Sequence, residues 1–479
     1  MQTNLLELIE PLSYKSFQIK NKREDLFQKY FNKLQVNSDL NRSLVSFQEN
    51  KKVPFYRWLK FKEGFSSKLV KYLLNHYKFQ NDKTLYVLDP FAGSGTTVTT
   101  AIEQGDFATG IELLPVGTAA MKARLIADAV DIDKFQEYLE QYKKFSLNRN
   151  HNGEYKFPHV RITEKAFTEE AESSISTYMK FLDNIQSEDV RYLFWFVCLS
   201  ILEDISYTSK DGQYLRWDFR SGRALKSKYR KTKIIDFHEA ILEKLQLILY
   251  DIKRRNGGSY TQRANIIEGS CLTELPLLKI NSYDLVITSP PYCNRYDYTR
   301  TYALELAFMG YDEIRLKGIR QELLSATVEN KTKLDQLRNM YEGLNRSEFF
   351  NTCMKSFNVQ AALQEILQIL KEARLKGSLN NNNIPTMVEN YFFEMNIVIH
   401  ELSRILRPGG RIYMVNDNVQ YIGEEIPVDL ILSNFAENYG LDINVIWVLS
   451  RGKGNSSQQM GAFGRNEIRK CVYVWDKLS

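Results

Sequence analysis

The chain has little of what usually staples or anchors a protein. Its five cysteines, Cys198, Cys271, Cys293, Cys353 and Cys471, are scattered, with no two close enough to form a paired ligand motif. That excludes a zinc knuckle and a disulfide framework, and free thiols suit a reducing compartment. The five histidines are isolated as well, so no metal is expected. No apolar run approaches the roughly 20 residues that a membrane helix needs. The longest, Tyr192 to Leu202, stops at Glu203-Asp204. The N-terminal residues lack a basic-then-apolar leader pattern. These absences lead to the expectation of a cytoplasmic protein without membrane or metal. Charge of one sign is also scarce: 64 basic residues stand against 58 acidic ones, a net +6 that only weakly favours an anionic partner. Apolar residues, at 43%, are sufficient for a full core over 479 residues.

What is present is an alternation of strands and helices. Residues 1–51 read as a helical lead-in, with Leu5, Leu6, Leu8 and Ile9, then Leu26, Phe27 and Phe31, at helical spacing. From Thr84 the pattern changes. Leu85 to Leu88 is a short apolar strand, Thr96 to Gln104 a helix, and Phe107 to Ile111 a second strand. Strand signals return at Ala264 to Ile267, Tyr283 to Ile287 and Arg411 to Val415, and the runs Ile443 to Leu449 and Lys470 to Trp475 form a terminal antiparallel pair. This order predicts an α/β fold with a mostly parallel sheet and a reversed strand at one edge, binding ligands at the carboxyl ends of its strands. Two stretches, 131–261 and 311–392, are too long to be structureless loops and read as helical insertions. They leave 52–130, 262–310 and 393–479 as the sheet-bearing domain.

Two motifs sit at strand ends. The first is Asp89-Pro90-Phe91-Ala92-Gly93-Ser94-Gly95-Thr96-Thr97. Gly93 and Gly95 allow positive φ and close approach of backbone to a ligand, beside the free N–H groups of a helix start. No Gly-Lys-Ser/Thr follows, which excludes a triphosphate loop, and Val98 occupies the third glycine position of the dinucleotide fingerprint. Glu112 ends the next strand, 23 positions after Asp89, where a carboxylate can accept both ribose hydroxyls. Asp89 could attract an ammonium. A cofactor with an ammonium and a ribose but no phosphate is S-adenosyl-L-methionine. A bare Gly-x-Gly turn would as readily be a connector; Glu112 and the strand context favour the cofactor.

The second motif is Ser289-Pro290-Pro291-Tyr292, directly after the apolar strand Leu285-Val286-Ile287. Two prolines remove two N–H donors and fix φ, leaving rigidly aimed carbonyls. Ser289 Oγ and the Pro290 carbonyl can accept the two protons of an exocyclic amine, and Tyr292 can stack on a planar ring. The competing reading is that Pro-Pro merely ends a strand.

With Thr288 included, this motif and the glycine turn resemble those of the DNA amino-methyltransferase family, which modifies adenine N6 or cytosine N4. Phe65-Ser66-Ser67 and the helix after it are similar to the family's segment at the methionine end of the cofactor, and Arg407-Pro408-Gly409-Gly410-Arg411 to its approach to the fifth strand. The resemblance implies a Rossmann-like class I methyltransferase fold, with a seven-stranded sheet, an antiparallel edge strand and helical insertions. It makes 52–130, 262–310 and 393–479 the catalytic domain. It implies S-adenosyl-L-methionine held by Phe65, Ser66, Asp89, Phe91, Gly93, Gly95, Thr96, Thr97, Glu112 and Ser270, and catalysis by Ser289, Pro290, Pro291 and Tyr292 on a base flipped out of double-stranded DNA. The sequence departs from the family pattern at Ser270, where an acidic residue usually ends the third strand. Serine at position 289 leans toward cytosine N4; adenine N6 is the alternative. An RNA amino-methyltransferase and a catalytically silent DNA-binding protein also stay open.

Target recognition is assigned to the insertions. Arg216, Arg220, Arg223, Lys226, Lys228 and Arg230 are interleaved with Tyr214, Trp217, Phe219 and Tyr229, a pattern that suits phosphates and unstacked bases but equally a solvated basic face. Arg295, Tyr298 and Arg300 follow the Pro-Pro motif and suit the rim of a base pocket, or equally a helix start packed on the sheet. The flexible stretch Gly452 to Ser457 falls where the family often flanks that pocket. A cognate restriction endonuclease is the expected partner protein. Replacing Tyr292 with alanine is expected to abolish methyl transfer while cofactor binding persists; a methyl-transfer assay beside a cofactor-binding titration checks both halves, and retained activity would overturn the assignment.

Overall fold

The computed structural model describes residues 21–79, 83–147, 154–211, 214–223, 228–255, 260–449 and 468–478. The leucine stripe at residues 5–9, Lys226 and the stretch 452–457 lie outside them. Twelve strands occur among the described residues: β1 (Leu34–Val36), β2 (Tyr86–Asp89), β3 (Phe107–Glu112), β4 (Thr208–Asp211), β5 (Tyr214–Trp217), β6 (Ala264–Glu268), β7 (Tyr283–Thr288), β8 (Leu406–Asp417), β9 (Val419–Tyr421), β10 (Glu424–Ile426), β11 (Leu441–Val448) and β12 (Lys470–Lys477). Eight of them form one sheet in the order β1-β11-β12-β8-β7-β2-β3-β6. All neighbours pair in parallel except β12, which runs against both β8 and β11. β4–β5 and β9–β10 are separate hairpins.

The architecture is the expected mostly parallel, Rossmann-like class I sheet with helical insertions. It carries eight strands rather than seven. The extra strand, β1, comes from the segment that reads as purely helical, because three residues are too few to display a period of two. It pairs with β11 and so covers the outer side of the terminal antiparallel pair.

The central strands are apolar on both sides because helices cover both faces. Leu88, Val286, Ile412 and Met414 face one core, filled by the helices Lys22–Tyr30, Ile384–Ile405 and Val428–Asn438. The helices Leu334–Gly343, Ser347–Val359 and Ala361–Leu375 join this same core. Val87, Leu285, Ile287 and Tyr413 face the other core, closed by Ser67–Lys78 and Thr96–Glu103. This alternation follows from the two-residue repeat of a strand.

The stretch 131–261 builds a third core around Glu188–Ile205, a helix apolar almost all round and therefore central to its bundle. Phe55, Trp58, Leu59 and Phe61 pack into that core, as do Tyr302 to Phe308. A buried carboxylate fastens the join. Asp251, 1% exposed on the helix Phe237–Lys253, accepts from the Phe55 amide at 3.1 Å, Trp58 Nε1 at 2.8 Å and Arg57 Nε at 3.1 Å. These bonds hold Phe55 at φ 66°, a conformation costly for a non-glycine residue. Asp251→Ala would leave the Phe55 amide, the Trp58 indole and the Arg57 guanidinium without their acceptor, and is expected to cost about 3–5 kcal/mol, read as a lower urea midpoint for unfolding.

Candidate active site

The carboxyl ends of the parallel strands converge on one cavity. Its wall takes Phe61 and Glu63 from the segment before Ser67–Lys78, Phe91 and Gly93 from the turn after β2, Glu112 from the end of β3, Ser270 from beyond β6, and Ser289 and Pro291 from beyond β7. Tyr298 and Leu324 complete it.

The glycine turn is shaped by contact. Gly93 and Gly95 have φ of 53° and 78°. A Cβ at Gly93 would stand 2.9 Å from the Phe61 ring, and one at Gly95 would overlap Met121. Glu112 ties the turn to β3: its Oε2 accepts from the Gly93 amide and its Oε1 from the Leu114 amide, both at 2.6 Å. Asp89 ties it to the neighbouring strand, accepting from Thr288 Oγ1 at 2.6 Å and from the Phe91 amide at 3.1 Å. Thr97 Oγ1 adds a bond to the Ile287 carbonyl at 3.1 Å. Burial pushes the Asp89 carboxyl up to about 6 and that of Glu112 up to about 7. Hydrogen bonds from Thr288, Thr97 and Phe91 oppose the first shift; those from Leu114 and Gly93 oppose the second.

Beyond β7, Ser289 Oγ lies 3.4 Å from Tyr292 Oη, and Pro290 is buried beneath them. Tyr292 is half-buried, and Lys470 Nζ stands 3.5 Å from its hydroxyl. Lys470, the first residue of β12, is held by Asp417, the last of β8, at 2.9 Å.

A family model described as DNA methylase matches residues 8–120. The chain is 46% identical over 462 residues to the Type II methyltransferase M.AvaI of a Nostoc species, an alignment covering 94% of this chain and 92% of that protein. It is 38% identical over 486 residues to the Type II methyltransferase M.BsoBI of Geobacillus stearothermophilus, covering 98% and 94%. The Type II methyltransferase M.MvaI of Kocuria varians is 20% identical over 75% of each chain. The chain belongs to the S-adenosylmethionine-dependent DNA amino-methyltransferase family. It is an enzyme, a DNA methyltransferase.

Within this methyltransferase, the residues singled out from sequence fall into two groups. Phe91, Gly93, Glu112, Ser270, Ser289 and Pro291 line the cavity. Asp89, Gly95, Thr96 and Thr97 lie behind its wall and hold the turn. Phe65 packs in the core beside Ser67–Lys78, and Ser66 Oγ caps that helix by accepting from the Leu69 amide at 3.2 Å. From the same segment it is Phe61 and Glu63 that reach the cavity. Ser270 Oγ donates to the Glu322 carbonyl at 2.9 Å, so its hydroxyl serves the wall itself.

Tyr298, expected at a pocket rim, does line the cavity, whereas Glu63 and Lys470 were not singled out from sequence. Glu63 accepts from Tyr302 Oη at 2.5 Å and also from Tyr296. Tyr296 and Tyr302 flank the short helix Tyr298–Thr301, and both hydroxyls reach back to Glu63.

The basic residues divide as well. Arg220 pairs with Asp218 at 2.6 Å, and Arg223 donates to the Glu164 carbonyl at 2.7 Å and lies over the Trp217 ring. Arg216 stacks on Tyr229 with 4.1 Å to the centroid. Lys228 and Arg230 are exposed. Arg295, at φ 68°, donates to Asn380 at 2.8 Å, and Arg300 pairs with Asp297 at 3.2 Å and with Glu329. Among the described residues no cluster of three or more His, Cys, Asp or Glu is arranged to hold a metal, and no helix is long and apolar enough to cross a membrane.

Because burial raises the Glu112 carboxyl, its protonated form is the one that folding favours. Its contribution to stability is therefore full below the ordinary carboxylate range and is lost as pH rises through about 7. Thermal unfolding of the ligand-free protein between pH 5 and 8 is expected to show the native chain losing stability relative to Glu112→Gln as pH rises; parallel curves would refute the shift.

Proposed function

We propose that this methyltransferase moves a methyl group from S-adenosyl-L-methionine to N4 of a cytosine flipped out of double-stranded DNA at a specific site. The observation that carries the reading is the single cavity in which Ser289 and Pro291 face Phe91 and Glu112. One wall suits a nucleoside. Glu112 offers a carboxylate for two ribose hydroxyls, Gly93 lets backbone approach closely, and Ile111, Leu113 and Leu114 give an apolar surface for a purine. The residues present thus fit the cofactor, which supplies an electrophilic methyl on a sulfonium when bound.

The protein's own part is orientation. Asp89, Gly95, Thr96 and Thr97 hold the turn that presents the cofactor, with Phe65 and Ser66 fixing the helix behind it and Ser270 the far wall. Ser289 Oγ and the Pro290 carbonyl accept the amine protons and turn the nitrogen lone pair toward the methyl, an in-line placement that replaces a bimolecular encounter. Pro291 stiffens the strand end, and Tyr292 gives the extruded ring a stacking surface. Extrusion costs a few kcal/mol, which contacts to the DNA backbone must offset. Residues 131–261 are the proposed target-reading unit. Arg216, Lys228 and Arg230 on their surface suit phosphates, with Arg220 and Arg223 shaping the same loop, and Arg295 and Arg300, which follow the catalytic motif in the chain, suit the rim of the base pocket. Residues 311–392 form the second insertion of the same scheme, and a restriction endonuclease with the same target is the partner implied by the Type II relatives.

Serine at position 289 supports cytosine; adenine N6 remains the other amine this geometry serves. Sequencing DNA from cells that express the chain, with base-modification detection, is expected to give 4-methylcytosine at one recurrent motif. Finding 6-methyladenine instead would overturn the choice of base, and finding neither would overturn the function.

A further inference from the structure

Ser289 and the two prolines supply acceptors for an amine but nothing that donates to the rest of the base. Pro290 and Pro291 have no N–H, and the Ser289 hydroxyl points to Tyr292. A cytosine that turns N4 toward Ser289 also carries N3 and the O2 carbonyl, both acceptors, into the pocket. A buried acceptor without a donor is costly, so the pocket needs a donor beyond the amine edge.

Lys470 is that donor by position and chemistry. Its Nζ lies 3.5 Å from Tyr292 Oη and 5.2 Å from the centre of the Tyr292 ring, toward the hydroxyl end, which leaves the middle of the ring face for stacking. The side chain is 17% exposed, so most of it is enclosed. Asp417 anchors it at 2.9 Å and 3.1 Å through its two oxygens, and the pairing is built into the sheet, since Lys470 and Asp417 are register partners of β12 and β8. An ammonium has three donors and no acceptor. With one side held by Asp417, donors remain for a base edge.

We infer that Lys470 reads the flipped base, donating to O2 and N3 of the cytosine whose N4 faces Ser289. This rests on the cytosine reading above. It also gives that reading a physical basis apart from Ser289: next to the ring nitrogen cytosine places a carbonyl, whereas adenine places a C–H, which would leave the enclosed ammonium facing a group that accepts nothing. Lys470 is a specificity residue in contact with the substrate, distinct from the groups that orient the amine.

The test uses the full-length protein, tritiated S-adenosyl-L-methionine, unmodified genomic DNA and mass spectrometry of the product nucleosides. Lys470→Met is expected to lower kcat/KM for DNA roughly 10- to 100-fold while the cofactor Kd stays near the native value. Asp417→Asn, which keeps the ammonium, is expected to lose much less, and Lys470→Arg to recover part of the activity. Native kcat/KM in Lys470→Met, or equal losses in Lys470→Met and Asp417→Asn, would overturn the proposal, the second because it marks a role confined to the ion pair. Should the methionine variant not fold, the native protein decides. On an oligonucleotide duplex whose methylated cytosine has hydrogen in place of the O2 carbonyl, transfer is expected to fall roughly tenfold or more; an unchanged rate would overturn the proposal. If the native product is 6-methyladenine, the cytosine reading beneath it fails, and that outcome is visible without any variant.

Discussion

Thr288 gives its hydroxyl proton to Asp89 over 2.6 Å, between the ends of β7 and β2, in a place water does not reach. Each of these residues closes a strand, and each is followed by one of the two segments that make the cavity. The bond therefore sets the glycine turn and the Ser-Pro-Pro-Tyr segment at a fixed separation. Thr97 repeats the tie one strand-end away, through the Ile287 carbonyl. Both bonds are between groups that would otherwise be buried without partners, so neither can be lost cheaply. In-line transfer tolerates little displacement, and a scaffold of this kind suits it.

Glu112 completes the frame with a different balance. Its two oxygens hold the Gly93 and Leu114 amides, and the same enclosure that shortens these bonds also raises its proton affinity. A residue that both organises the turn and faces the cavity joins the folding of the site to its occupancy. A ligand bringing hydroxyl donors would add partners that favour the ionised form, so binding and ionisation are coupled.

The helical insertion is fastened to this frame rather than appended to it. Asp251 grips Phe55, Arg57 and Trp58, three residues upstream of the cavity-lining Phe61 and Glu63. On the other side Lys210 of β4 pairs with Glu305 in the interior and lies 4.6 Å from the centre of the Tyr302 ring, whose hydroxyl bonds Glu63. Phe61 stacks on the same ring at 4.9 Å. The unit proposed to read DNA and the wall of the cavity thus share a continuous set of buried charges and rings. Breaking one member of such a set exposes an unpaired charge, which ties the 131–261 insertion to the wall of the cavity.

The strand-helix alternation, the glycine turn with Glu112, and the Pro-Pro segment were all legible in the sequence, because each is local: a period of two, a residue type that permits positive φ, a ring that removes a donor. Their convergence at one end of the sheet was legible too, since a parallel sheet places its strand ends together. What the sequence could not give was anything set by contact across the chain. β1 is three residues long and becomes a strand only by pairing with β11. Ser66 and Phe65 were plausible cavity residues by motif, yet the helix cap and the core take them, and Phe61 and Glu63 project instead. Arg220 and Arg223 read as free cations until Asp218 and backbone carbonyls claim them. Lys470, 178 positions from Tyr292 along the chain, reaches it only because β12 runs back beside β8. The fold class and the place of both motifs at strand ends follow from near neighbours along the chain; which side chains share the cavity follows from how distant strands pair and which hydrogen-bond partners they bury.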